Sequence, residues 1–146
     1  YNIYAILDPR GIAPVGYHVP NNTEWTTLTA TLGGGTWVDL WGDGTTFFQP
    51  GIGSALAEAT NDCHWMSWYL NPTNSSGFTA LPGGSRATAG YFISLQVEAI
   101  FASSTKVSNT PGIDQIWGHT IDNINTGFER SWVSPNQGIS VRLIKD

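Results

Sequence analysis

The sequence predicts an α+β fold of short strands, two helices and long irregular loops. Three observations carry that expectation. Only 12% of the residues are charged while 17 are glycine and 8 proline, which disfavours a helical bundle and favours short strands between turns. The first residues, "YNIYAIL", and the last, "GISVRLIKD", both read as strands. In the latter, Ile139, Val141 and Leu143 alternate with Ser140 and Arg142, the period of a half-buried sheet. Between them, "VPNNTEWTTLTATLGGG" carries matched helix start and stop signals. Paired ends would close the domain on itself, and 146 residues suffice for one core, so a single domain over residues 1–146 is expected.

In the first helix Asn21 caps the opening turn, Glu24 reaches back in a capping box, and Gly33 ends it. Trp25, Leu28 and Leu32 then share a buried face. Its many threonines give poor intrinsic propensity, so packing must hold it. A second helix is expected in "GSALAEAT", with Ser54 as its cap. From Asn61 to Gly90 the turn formers Gly, Pro, Ser and Asn dominate. From Tyr91 to Val107 and from Gln115 to Arg142, short β-type stretches alternate with turn residues.

Six basic residues against eleven acidic ones, a net charge of -5, leave no footprint for a phosphate backbone, so nucleic acid is not an expected partner. No apolar run of about 18 residues is present, and membrane insertion is not expected. The opening "YNIYAI" has no basic, apolar signal segment and reads as a mature product or an excised domain, silent on export. Cys63 is the single cysteine, which fits either a bacterial surface protein without disulfides or a cytosolic protein, and no Cys/His cluster suggests zinc.

Several pieces stand in a recognisable order: "DPRGIAPVGYHVPNNTEWTTL" near the start, "NSSGFTALPGGSR" in the middle, "SST" at 103–105 and "GISVRLIKD" at the end. This order resembles the Fibrobacter succinogenes major paralogous domain family, over nearly the whole chain. Tyr17, the pair Phe101-Ala102 and Ile139 depart from the family pattern while keeping apolar or small character. Between Lys106 and Gln137 only Trp117, Gly127 and Arg130 match it well, so partner contacts are expected mainly in that stretch. The resemblance implies a C-type lectin-like fold: a twisted antiparallel sheet joining both termini, two helices and a long loop region forming an outer face. It further implies an extracellular binding module without a cofactor, on a bacterial cell surface or a virion, that recognises a cell-surface glycan or protein. Lectin-like relatives include adhesins and the diversified receptor-binding ends of phage tails, the variable proteins of diversity-generating retroelements. The alternative is a structural subunit of a fibre or virion, a homo-oligomer without its own ligand. The same fold houses formylglycine-generating enzymes, whose chemistry needs two cysteines where this chain has one.

Within that frame "NSSGFTALPGGSR" reads as scaffold rather than phosphate loop, because "LPGGSR" leads into the strand-like "ATAGYF" and not into a helix. Phe78 and Leu81 should be buried, Pro82-Gly83-Gly84 should turn the chain, and Arg86 should pair with a carbonyl or carboxylate. Cys63-His64 suggests a thiol nucleophile beside an imidazole, yet sequence neighbours point apart in extended chain and no third orienting group is evident. Asp39 and Asp43 in "WVDLWGDGTT" offer oxygen ligands for Ca²⁺, but Asp beside Gly is first a turn signal, and no metal site is expected.

Trp25 and Trp117 are expected in the core. Trp132 sits among polar and turn-forming residues and is the candidate binding anchor. His119, Asp122, Asn123, Asn125, Glu129, Ser131, Asn136 and Gln137 surround it in sequence and supply donors and acceptors for a ligand. The loop from Thr36 to Pro50, with Trp37, Trp41 and Phe47, is the next candidate face.

Overall fold

The computed structural model describes residues 1–59, 64–66, 70–107 and 114–146. It is an α+β structure whose centre is a five-stranded antiparallel sheet. The strands are β2 (Val38–Asp39), β3 (Thr46–Gln49), β8 (Phe128–Val133), β7 (Gln115–Asp122) and β6 (Glu98–Val107), in that spatial order. Each is joined to its neighbour antiparallel. Two small ribbons flank the sheet: β1 (Tyr17–His18) with β9 (Ile144–Lys145), and β4 (Ser85–Arg86) with β5 (Phe92–Ile93).

Helix α2 (Asn22–Thr31) forms as its sequence dictates. The Asn21 side chain accepts from the backbone N–H of Thr23 and Glu24, and Glu24 accepts from the Asn21 N–H in return. Gly33, at φ +82°, turns the chain out of the helix. Trp25 is buried with Thr29, and Leu28 and Leu32 pack against the same core. The family-like segments meet at this helix: Ser104 N–H donates to Pro20 O, Asn22 N–H to Thr105 Oγ1 and the Trp25 indole to Ala102 O. The register of β6 against β7 shifts between Ala102 and Lys106, which frees Ser104 for that contact.

Four expectations are corrected. "YNIYAIL" is not a strand: Ile3–Ile6 is a helical turn, α1, capped by Asn2, and the spacing of three puts Ile3 and Ile6 together in the core while Tyr4 faces out. Nor is "GISVRLIKD" one strand: in it Ile144–Lys145 alone forms a strand, paired with Tyr17–His18 in the separate β1/β9 ribbon, so the five-stranded sheet takes no strand from either end of the chain. Tyr1 is tied to the terminal segment through Ile139, whose N–H donates to Tyr1 O. The next helix, α3, spans Ile52–Leu56 with Gly51 as its N-cap. Ser54 lies inside α3 and donates its hydroxyl to Leu70 O instead of capping, and Gly53 lies so close to Gly127 O that a Cβ would collide with it. In the "NSSGFTALPGGSR" loop Phe78 packs on the core but Leu81 is half exposed, and Arg86 pairs with Gly138 through both main chains, not through its guanidinium.

The sheet carries a core on each face. Trp25, Leu56, Leu70, Ala99, Phe101, Ile121 and Phe128 fill one, under α2 and α3. Ile3, Ile6, Ile100, Ile116, Val133 and Ile139 fill the other, joined by Val141 and Leu143 of the terminal segment. Among the described residues no helix is long and apolar enough to cross a membrane.

Candidate functional site

Strand alternation sorts the candidate residues between these two faces. Cross-strand pairing aligns one row on the α2 face: Asp39, Phe47, Arg130, His119 and Phe101, from β2 across to β6. A second row on that face pairs Trp132 with Trp117. At the β6 end the row is covered by α2. Trp25 stacks on His119 with centroids 4.8 Å apart, Phe128 lies 5.5 Å from His119 and 6.0 Å from Trp25, and Trp37 meets His119 edge-on.

Beyond His119 the same face rises into half-buried aromatic rings. The Arg130 guanidinium carbon lies 4.4 Å from the ring centre of Phe47, 4.7 Å from Trp117 and 4.8 Å from Trp37. Trp117 also meets Phe47 and Trp132 edge-on. This is a cation held among three aromatic faces, with a fourth ring beside it. Trp117 therefore belongs to this half-buried group and not to the core where its size had placed it.

The polar atoms here are unusual in having nothing to bond. Trp37 Nε1, Trp132 Nε1, Arg130 Nε and both His119 nitrogens are buried without a hydrogen-bond partner. Buried polar groups in native proteins are ordinarily paired, and an unpaired one costs about 1–3 kcal/mol. No ion pair or hydrogen bond holds the Arg130 guanidinium among the described residues, and burial pulls its pKa below the ordinary arginine value. Burial, with the Arg130 charge adding to it, holds the His119 imidazole far below its ordinary value of 6.5, so it is neutral.

The other sequence-derived candidates fall elsewhere. His119 is fully buried, a core ring rather than a surface contact. Asp122 holds the β7–β8 turn: its carboxylate accepts from the N–H of Ile124 and Asn125 and from Asn125 Nδ2, while Asn125 Oδ1 accepts from Gly127 N–H. Asn123 is buried, its N–H on Val97 O. Glu129 and Ser131 alternate with Arg130 and Trp132 and so occupy the opposite face, where burial and then the nearby Asp122 and Glu98 charges raise the Glu129 pKa. Asn136 and Gln137 lie away from both, beside the "LPGGSR" segment, with Asn136 lining a groove of about 420 Å³ together with Tyr1, Arg86 and Phe92. Of the nine, the structure brings Trp132 to the aromatic face and His119 to its buried inner edge, against Trp37 and in register with Arg130.

The face draws Trp37 and Phe47 from the Thr36–Pro50 loop, because β3 pairs with β8. The two regions treated separately in the sequence are one surface. Arg130 was missed, although Phe128, Arg130 and Trp132 alternate in "FERSWV", a pattern that already puts a cation on an apolar face. In the β2–β3 loop Asp39 accepts from the N–H of Trp41, Gly42 and Gly44, and Asp43 from the N–H and hydroxyl of Thr45, so both carboxylates brace the hairpin that carries exposed Trp41. Cys63 lies outside the described residues; His64 bonds Glu58 through its backbone N–H and Nδ1.

The chain matches the Fibrobacter succinogenes major domain over residues 1–145 and belongs to that family. No curated protein and no solved structure matches it.

Proposed function

We propose that this member of the Fibrobacter succinogenes major domain family is a non-catalytic recognition module on a C-type lectin-like scaffold, displayed outside the cell on a bacterial surface or a virion. One observation carries the reading: the outer half of the sheet presents Trp37, Phe47, Trp117 and Trp132 around Arg130, with buried donors left unpaired. Binding faces concentrate their energy in such aromatic and arginine residues, and a ligand supplies the missing acceptors. The few helices, the antiparallel sheet and the tie of Tyr1 to the terminal segment are what support the lectin-like scaffold.

The contact face thus runs over β3, β7 and β8 and their loops. The intact chain, screened against surface glycans and surface proteins, should bind a target whose affinity depends on Trp132 and Trp117. Hydrolase, oxidase and transferase assays should show no turnover. Saturable turnover abolished by Cys63→Ala or His64→Ala would sink the reading.

A second reading, a structural subunit of a fibre or virion, draws on a different surface. Tyr91, Phe92 and Leu95, on and beside the β4–β5 ribbon, are each more than 60% exposed. A structural unit self-associates through such a patch, so sedimentation of Phe92→Ser against the parent separates the two readings: a stable oligomer lost in the variant supports the subunit, a monomer in both supports the recognition module.

A further inference from the structure

The proposed contact face has a definite chemical preference. Alternation along β6, β7 and β8 sends the carboxylates Glu98, Asp122 and Glu129 to one face of the sheet and Arg130 to the other. Asp39, the acidic residue in Arg130's own row, turns its carboxylate to the N–H groups of the β2–β3 hairpin, and among the described residues no carboxylate pairs with Arg130, whereas Arg10 pairs with Asp8 and Lys106 with Asp114. Its Nε is sealed from solvent without a partner, as are Trp37 Nε1 and Trp132 Nε1, and all three are donors. A donor-rich, partly desolvated site around a guanidinium favours an acceptor-only group, and a carboxylate matches the guanidinium fork with two parallel bonds.

Building on the recognition reading above, we propose that the ligand is an acidic sugar, of the uronic or sialic type, whose carboxylate engages Arg130 while its ring lies on the flanking aromatic faces. A sugar ring presents weakly positive C–H groups to the negative face of an aromatic ring. Its hydroxyls donate or accept as needed, so they satisfy indole N–H groups without stranding a donor of their own. A peptide brings backbone N–H groups that need acceptors, and on this face among the described residues the buried acceptors without a partner are Gln49 Oε1 and the unprotonated nitrogen of His119, which lies under the Trp25 ring of α2.

The test titrates the full chain, by calorimetry and by amide and indole NMR, with trigalacturonate, its methyl ester, 3′-sialyllactose, lactose and an acidic hexapeptide. At least one carboxylated sugar should bind, about tenfold or more tighter than its ester or neutral counterpart, and should shift tryptophan indole N–H resonances. Arg130→Lys keeps the charge but loses the fork, and should weaken that binding about tenfold or more with an unchanged melting curve. Trp37→Phe keeps the ring and loses the donor, and it serves if Arg130→Lys fails to fold; it should weaken binding severalfold.

Silence from both acidic sugars, equal binding of acid and ester, or undiminished binding by both variants overturns the proposal. So does binding of the hexapeptide with the sugars silent, which points to a protein carboxylate instead. If a neutral sugar binds and loses affinity in Trp132→Ala but not in Arg130→Lys, the acidic preference falls while the recognition face stands. If no ligand depends on any residue of the face, both fall.

Discussion

Trp25 and Trp65 lie under the helices with their indole N–H groups on the carbonyls of Ala102 and Ala80, whereas Trp37 and Trp132 bury theirs against nothing. All four rings belong to the same side of the molecule, and size and hydrophobicity are equal between the groups. The difference is in what the polar atom meets. The inner group has spent its hydrogen-bonding capacity on the fold, and the outer group has kept it. Burial alone therefore does not tell a structural tryptophan from one that binds; burial together with satisfaction of the N–H does.

The largest expected effect destroys the platform under both groups. Deleting residues 140–146 removes the bonds of Ser140 to Ile100 and Ala102, the β9 ribbon, and the packing of Val141 and Leu143. That loss is on the order of a whole domain's stability, about 5–15 kcal/mol, and the truncated chain should show no cooperative melting transition. An unchanged melting temperature would mean that the terminal segment closes nothing.

Next come the two tryptophans set against each other. Trp25→Ala empties a core site and breaks the stack on His119, and should cost about 3–5 kcal/mol of stability in denaturant titration. Trp132→Ala should cost about 2 kcal/mol or more in affinity for the ligand while moving the unfolding midpoint little. If Trp132→Ala instead destabilises as much as Trp25→Ala, the division between the groups collapses.

His119 stands at the boundary, ringed by both groups yet with two unpaired nitrogens. His119→Leu exchanges an unsatisfied polar ring for an apolar side chain, and at pH 8 should leave stability within about 1 kcal/mol of the parent. The pH dependence has a definite sign. The unfolded chain protonates this imidazole near its ordinary value of 6.5 and the folded chain only far below that, so the parent has full stability above about pH 6.5 and loses it as pH falls further. His119→Leu should flatten that acid limb; parallel curves for parent and variant would show that the ring takes up its proton in the fold as it does in the unfolded chain.

The smallest effect has the opposite sign and lies at the first turn of α2. His18 bridges Glu24 at 2.8 Å and Asp146 at 2.6 Å, and those bonds, to Asp146 first, raise its pKa. Its stabilising contribution is full below the unfolded value of 6.5 and fades as pH rises through the higher folded value. Glu24, held low mainly by the Asn21 N–H, stays ionised across that window. His18→Gln should lower the melting temperature slightly at pH 6 and not at pH 9, a difference that vanishes into the screening of an exposed pair if the bridge is ornamental.

Local chemistry made some of this molecule legible from the start. The α2 helix, its Asn21–Glu24 box and its Gly33 stop depend on residues within four positions of one another, and they stand where the sequence puts them. Part of the scaffold role of "NSSGFTALPGGSR" is of the same kind, with Asn74 bonding Thr79 five residues on, whereas the bond of Ser76 to Ala55 spans 21 residues and belongs to the tertiary fold. The start of the chain was misread because a short run rich in Tyr and Ile has strand-like composition, while the helical signals, the spacing of three between Ile3 and Ile6 and the Asn2 cap, tell only when the core is there to receive both isoleucines.

The candidate site was only partly legible, for a physical reason. Alternation alone orders Phe128, Arg130 and Trp132 on one side of a strand, and that much is written in "FERSWV". Which strands lie beside it is a matter of long-range pairing, and no local pattern announces that β3 docks on β8 to bring Phe47 and Trp37 over Arg130. Nor does any local pattern show that α2 will cover His119 and stop short of Trp132. Sequence by itself determined the composition of each face; the tertiary structure decided which stretch of that face is sealed by a helix and which is left with its donors unpaired, because burial is a property of neighbours distant in the chain.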